Sequence, residues 1–147
     1  MLRVRDILKG KPEQTWSISP ESTVFDALKL MAEKEIGALM VMDDKNKVFG
    51  IISERDYARK IILLGRTSRE TLVKEIMTPA EKMFTVKSDT PVDDCMILIT
   101  GKHIRHLPVF DAAQFAGLVS IGDVVKSIIS EKDTLINHLS DYIAGKY

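Results

Sequence analysis

The sequence predicts a mixed α/β protein of the α+β type, built from two tandem β-α-β-β-α units packed sheet to sheet with pseudo-twofold symmetry. Three observations predict it. The chain repeats itself, both repeats carry the same order of periodicities, and one repeat alone has too small a core. Val4-Arg5-Asp6-Ile7-Leu8 returns as Val73-Lys74-Glu75-Ile76-Met77. The segment from Ile36 to Asp43 returns from Ile104 to Asp111, and Gly50-Ile51-Ile52-Ser53-Glu54-Arg55-Asp56 returns as Gly117-Leu118-Val119-Ser120-Ile121-Gly122-Asp123. The offset falls from 69 to 68 to 67, and each loss lies in a polar or loop-like stretch. Small loop deletions between two copies of one fold unit produce that drift.

The elements follow in order. A short helix is expected around Val4–Leu8, and Trp16–Ile18 reads as a short strand. Val24, Ala27, Leu28 and Met31 stand at i, i+3, i+4 and i+7, the apolar stripe of a helix. Ser22 is placed to cap it, because a short side-chain oxygen accepts from the free amides of a first turn. The apolar runs Ala38–Met42 and Val48–Ile52 read as strands joined by the turn Asp43-Asp44-Lys45-Asn46-Lys47. Asp56–Leu64 reads as the second helix. Gly65-Arg66-Thr67-Ser68-Arg69-Glu70 is the expected linker, and its Thr67-x-x-Glu70 spacing predicts a capping box for the next helix.

The second repeat follows the same plan. Phe84–Val86 reads as a strand. Val92, Cys95, Met96 and Ile99 form the next helical stripe, with Thr90 as its cap, Pro91 at the first helical position and Asp93 completing a box-like pattern. His106–Phe110 and Ala116–Val119 read as strands, and Asp123–Ile129 as a helix. In Thr134–Ile143, the residues Leu135, Ile136, Leu139, Tyr142 and Ile143 recur at helical spacing. Core packing is the first expectation for that stripe and a dimer contact the second. One unit of roughly 60–70 residues has a marginal core by itself, so the two sheets are expected to cover each other. The repeats divide the chain at 1–65 and 66–147.

Composition narrows the class. The 147 residues are 45% hydrophobic and 29% charged, as in an ordinary globular protein. Lys plus Arg and Asp plus Glu are 21 each, so the formal net charge is zero. That argues against nucleic acid or an anionic membrane as a partner. The one cysteine, Cys95, cannot form an internal disulfide and lies in an apolar stripe, which marks a small buried hydrophobe. The N-terminus has no apolar signal core, and no run approaches the ~20 residues of a membrane span, so a cytoplasmic location is expected. His103 and His106 offer two nitrogens without a third ligand, a poor metal site. There is no Walker loop and no nucleophile–base pair, so no enzyme activity is expected.

The repeated segments resemble a tandem cystathionine-β-synthase (CBS) domain pair, the Bateman module. The matching residues are Thr23-Val24-Phe25-Asp26-Ala27-Leu28, Ile36 to Asp43 and Gly50 to Asp56 in one copy. In the other they are Thr90-Pro91-Val92-Asp93, Ile104 to Asp111 and Gly117 to Asp123. The resemblance covers nearly the whole chain and points to small, stand-alone CBS-pair proteins. It implies a sensor that takes AMP, ADP, ATP, NAD or S-adenosylmethionine in clefts between the copies. It also implies a disc-like homodimer. With no output domain left over, the regulated target protein would come in trans.

An adenosine ligand needs a carboxylate for its ribose diol, an apolar slot for its base and positive charge for its phosphate. Asp56 and Asp123 follow Ser53 and Ser120 by three residues at strand-to-helix turns. A carboxylate there can accept from both ribose hydroxyls, while the serine and the first-turn amides serve an anion. The same Ser-x-x-Asp is also a capping box, which needs no ligand. Ile18, Ile36, Ala38 and Leu39 from one copy are the expected base slot. Val86, Ile104, Leu107, Pro108 and Ile121 are their equivalents in the other. Core packing explains the same residues, and slots are themselves mostly apolar. The expected phosphate cations differ between copies: Arg55 and Arg59 in the first, Arg105, His106 and Lys126 in the second. A ligand-free interaction scaffold is the alternative to a sensor.

Overall fold

The structure, a computed structural model, describes residues 1–12 and 15–145. It divides into two compact units that do not follow the repeat boundaries. One is Gln14–Met83; the other joins Met1–Glu13 to Phe84–Tyr147.

The Gln14–Met83 unit carries a four-stranded sheet in the order β1-β2-β3-β4. β1 (Ser17–Ile18) runs parallel to β2 (Ala38–Met42), β2 is antiparallel to β3 (Val48–Ser53), and β3 is antiparallel to β4 (Thr78–Pro79). α2 (Val24–Lys34) covers one face. α3 (Glu54–Tyr57) follows β3 directly and passes into a π-helical turn, Ala58–Ile62, so the second helix starts two residues earlier than expected. Val24, Ala27 and Met31 of α2 pack with Leu39, Val41 and Ile52 of the sheet. Val73 and Ile76 of the short helix α4 (Val73–Ile76) complete that core.

The other unit repeats this plan with β5 (His106–Asp111) antiparallel to β6 (Gln114–Ser120), and α5 (Val92–Lys102) on one face. Val92, Cys95 and Ile99 pack with Leu107, Val109 and Val119. Here the short helix is α1 (Val4–Lys9), whose Val4 and Ile7 join the core. Each short helix therefore completes the sheet of the repeat that does not follow it. The backbone reports the exchange twice. Val4 N–H donates to Thr90 C=O (2.9 Å) and Val92 N–H to Leu2 C=O (3.0 Å). Val24 N–H donates to Thr71 C=O and Val73 N–H to Ser22 C=O, both at 2.8 Å.

Three predicted caps move. The Thr90 and Ser22 carbonyls accept from the amides of Val4 and Val73, and each helix begins one residue later than expected. Thr23 caps α2, its hydroxyl accepting from Asp26 N–H (3.1 Å). Pro91 takes the N-cap position of α5, and Thr90 Oγ1 instead accepts from Lys87 N–H (3.0 Å), so the Thr90–Asp93 box does not form. The Thr67–Glu70 box gives only a turn. α4 starts at Val73, where the Glu75 carboxylate accepts from Leu72 N–H (2.7 Å).

The predicted strand Phe84–Val86 shrinks to one parallel bridge, Val86 to Val109. Val86 N–H donates to Pro108 C=O and Phe110 N–H to Val86 C=O. Extending the ladder back to Phe84 would need an amide at residue 108, and proline has none. The first repeat has Met40 there, and its strand forms.

The predicted helices at 123–129 and 134–143 are one continuous helix, α6 (Ile121–Ile143). Core packing does not explain its C-terminal stripe: Leu135, Ile136, Leu139, Tyr142 and Ile143 are all exposed.

Candidate functional site

Both Ser-x-x-Asp turns form, and they form alike. Ser53 is the N-cap of α3 in extended conformation, and Ser120 is the N-cap of α6. Asp56 Oδ2 accepts from Ser53 N–H (2.9 Å), while Asp56 N–H points back to Ser53 Oγ (3.4 Å). The corresponding distances for Ser120 and Asp123 are 2.9 and 3.2 Å. An extended strand end feeding straight into a helix leaves first-turn amides unpaired, and the serine and aspartate satisfy them reciprocally. Each carboxylate is thus fixed at a helix start, where the dipole favours negative charge.

Each carboxylate also holds a lysine. Lys60 Nζ lies 3.1 Å from Asp56 Oδ1 and donates to Ile76 C=O at 2.8 Å. Lys11 Nζ lies 2.7 Å from Asp123 Oδ2 and donates to Leu118 C=O at 2.9 Å. The sequence reading had neither lysine. Lys60 carried a legible signal, since it follows Asp56 by four residues on a helix. Lys11 carried none: it is 112 residues from Asp123. The repeat does not reveal it either, because Ala80 stands at its equivalent position and Ser127 at that of Lys60.

Burial acts to raise the pKa of Asp123. The Lys11 ammonium, with the amide and hydroxyl of Ser120, outweighs that and holds the carboxyl below its ordinary value. His106 pairs with Ser120 across the β5–β6 ladder and shares its face. Burial pushes its pKa down, Lys11 and Arg105 push the same way, and Asp123 opposes them. The imidazole is therefore neutral at pH 7, a hydrogen-bonding group and not the cation the sequence reading expected. The unfolded chain protonates this residue first, near 6.5. Stability present above that pH is lost as pH falls through the lower folded-state value. Between pH 7.5 and 5.5 the melting temperature of the wild type should fall by about 2–4 °C more than that of His106→Asn. Equal slopes in thermal melts would contradict this account.

The remaining candidates separate by face. Ala38 is opposite Ser53 in the β2–β3 ladder, just as His106 is opposite Ser120. Pro108 points to the same face as His106, by alternation along β5. Leu39 and Leu107 point the other way and have no exposed surface. They are core residues with nothing to offer a ligand in this conformation. Val86 is likewise buried in its core, and Ile18, Ile36 and Ile104 are half-buried against theirs. Ile121 is partly exposed at the start of α6. Arg55 is half-buried beside Asp56 in α3, and Arg105 is exposed, its carbonyl accepting from Ile121 N–H (2.8 Å). Arg59 and Lys126 are exposed, and among the described residues no ion pair ties them to either carboxylate.

A cavity of about 630 Å³ in the Gln14–Met83 unit is lined by apolar residues of α2, by Tyr57, and by Glu35 and Glu54. Its two carboxylates suit no phosphate, and of the expected base-slot residues it includes only Ile36.

Among the described residues no helix is long and apolar enough to cross a membrane, and no group of three or more His, Cys, Asp or Glu is placed to hold a metal.

Comparison with known proteins gives one consistent result. The CBS domain profile matches residues 4–63 and 73–130. A protein of Arabidopsis thaliana, "CBS domain-containing protein CBSX3, mitochondrial", is 40% identical over 98% of this chain and 73% of its own length. Its compartment differs from the cytoplasmic expectation. A solved protein with CBS domains from Burkholderia ambifaria is 47% identical, with a TM-score of 0.82 over 88% of this chain and 95% of that one. CBSX2, crystallised in complex with AMP, is 27% identical with a TM-score of 0.73 over 90% of this chain and 99% of its own.

Proposed function

The chain belongs to the CBS-domain family as a tandem pair, and from that premise we propose that it is a regulatory sensor of adenosine-containing ligands. AMP, ADP, ATP, NAD and S-adenosylmethionine are the candidates. One observation carries the reading: the same carboxylate turn is built twice, with a cation beside each acid. A ribose diol fits a carboxylate already fixed in orientation, because little freedom is lost on binding. Asp56 and Asp123 are the ribose groups of this reading, with Ser53 and Ser120 beside them. Lys60 and Lys11 join Arg55 and Arg105 as the cations that face phosphate. His106 contributes a neutral donor, and Ile121, partly exposed, supplies apolar surface. The AMP complex of CBSX2 supports the ligand class. The output is a changed surface offered to a target protein, or a changed oligomer such as a homodimer.

A ligand-free scaffold is the second reading. One observation favours it: both capping boxes are complete without a ligand, each carboxylate already holding its serine and its lysine. Thermal melts with AMP, ATP, NAD, S-adenosylmethionine and adenosine separate the two. A ligand at ~100 times its dissociation constant stabilises by about 2.7 kcal/mol, a shift of several degrees. The sensor reading expects such a shift with at least one compound, and the scaffold reading expects none. Lys11→Met and Arg105→Ala should each weaken AMP about tenfold more than adenosine. Equal losses for the two ligands would remove both residues from the phosphate side.

A further inference from the structure

Neither Ser-x-x-Asp carboxylate lines the cavity between α2 and the start of α3. Its volume, about 630 Å³, is in the range of small-ligand sites. The floor is apolar: Met31 is buried, and Leu28 and Ile36 are half-buried. Tyr57 lines one side, and Glu35 and Glu54, both exposed, supply the only charges of the lining. Among the described residues no ion pair joins either acid to a lysine or arginine. Lys34, next to Glu35 in the chain, is turned to Trp16, its Nζ 4.1 Å from the ring centroid. Glu35 is also the C-cap of α2, so the negative end of the helix dipole adds to its charge. The fold unit does not require these acids. At the equivalent positions the second repeat has His103 and Ile121, and the fully buried Val124 stands where the first has Tyr57.

We propose that this cavity binds a linear aliphatic polyamine, its methylenes on the apolar floor and its ammonium groups on Glu35, Glu54 and the Tyr57 ring. Each part of such a molecule meets a matching part of the lining. Ammonium–carboxylate bonds are charge-assisted, and an aromatic face accepts a cation. The methylenes leave water for the surface of Leu28, Met31 and Ile36. A bare metal ion fits less well. Among the described residues no three His, Cys, Asp or Glu side chains are placed to hold one, and an ion that wants oxygen ligands gains nothing from an apolar floor. A phosphorylated ligand is repelled by both acids.

Calorimetry of spermidine with the purified full chain tests the site. Saturable one-to-one binding is expected. Glu35→Gln and Glu54→Gln should each weaken it about fivefold, and Tyr57→Leu about threefold. Both glutamates are exposed, so the Gln variants should melt like the wild type. Glu33 is an exposed acid of α2 that does not line the cavity, and Glu33→Gln should leave the affinity unchanged. In carbon-13 spectra the methyl group of Met31 should shift as spermidine is added. No saturable heat, an unmoved Met31 methyl, or a loss with Glu33→Gln as large as with the cavity acids would overturn the proposal. So would displacement of spermidine by an equal concentration of magnesium, since charge alone would then explain the binding.

Discussion

Exchanging both Asp56 and Asp123 for asparagine is expected to lower the affinity for AMP by about 100-fold or more while leaving the fold nearly as stable. Each carboxylate accepts hydrogen bonds from a ribose diol in the proposed complex. A hydrogen bond to a charged group contributes roughly 1.5–3 kcal/mol net, a factor of about 10 to 150. The stability side works differently. Asn keeps an oxygen able to accept from the amides of Ser53 and Ser120, so the helix starts stay satisfied. What is lost there is a part-exposed ion pair with Lys60 or Lys11, worth at most about 1 kcal/mol. Alanine at the same positions would remove the cap as well, and the melting temperature should then fall by several degrees. Calorimetry of AMP binding, with melts of the Asn and Ala variants, separates the roles. Wild-type affinity in the double Asn variant would mean that these acids serve only the helices.

The largest expected loss of stability is from Gly50→Ala. Gly50 sits opposite Pro79 where β3 meets β4. A methyl group there would lie 2.2 Å from the carbonyl oxygen of Thr78 and 3.2 Å from the sulfur of Met77. The oxygen is backbone and cannot swing aside, so the edge strand must leave. Its departure would disturb α4, whose Val73 and Ile76 lie in the core. A cost of about 3–5 kcal/mol is expected, enough to unfold the Gln14–Met83 unit near physiological temperature. Gly117, the equivalent glycine, should also lose stability with alanine, because its φ of +158° is one that a side chain rarely adopts, but it should lose less. Its methyl would meet the end of the Leu8 side chain at 2.8 Å, which can turn away. Denaturant melts of the two variants should therefore differ, and equal losses would contradict the comparison.

Much of this architecture was legible because the chain states it twice. The order of strands and helices, the two Ser-x-x-Asp turns and the burial of Cys95 all follow from periodicity and local chemistry. What was not legible came from contacts distant in sequence. The caps predicted at Ser22 and Thr90 fall one residue later, and the carbonyls of both are held by Val73 and Val4, from the exchanged short helices. Pro108 shortened a strand through an amide that it lacks, a consequence visible only once Val86 is known to pair with Val109. Leu39 and Leu107 read equally well as core or as ligand slot, and the pleat, which the sequence does not orient, turned both inward. Lys11 reached Asp123 from the far end of the chain. His106 looked like a cation by residue type, and its burial makes it neutral.

The exchange of the short helices bears on how the chain emerges from the ribosome. The Gln14–Met83 unit is complete once its last strand has left the exit tunnel, so it can fold during synthesis. The segment that carries α1 cannot. Val4 and Ile7 belong to a core whose other members, from Val86 to Val124, are made later. The segment around Val4 and Ile7 waits with its apolar face uncovered until Val124 has been made, and closing that long loop should be the slow step of maturation.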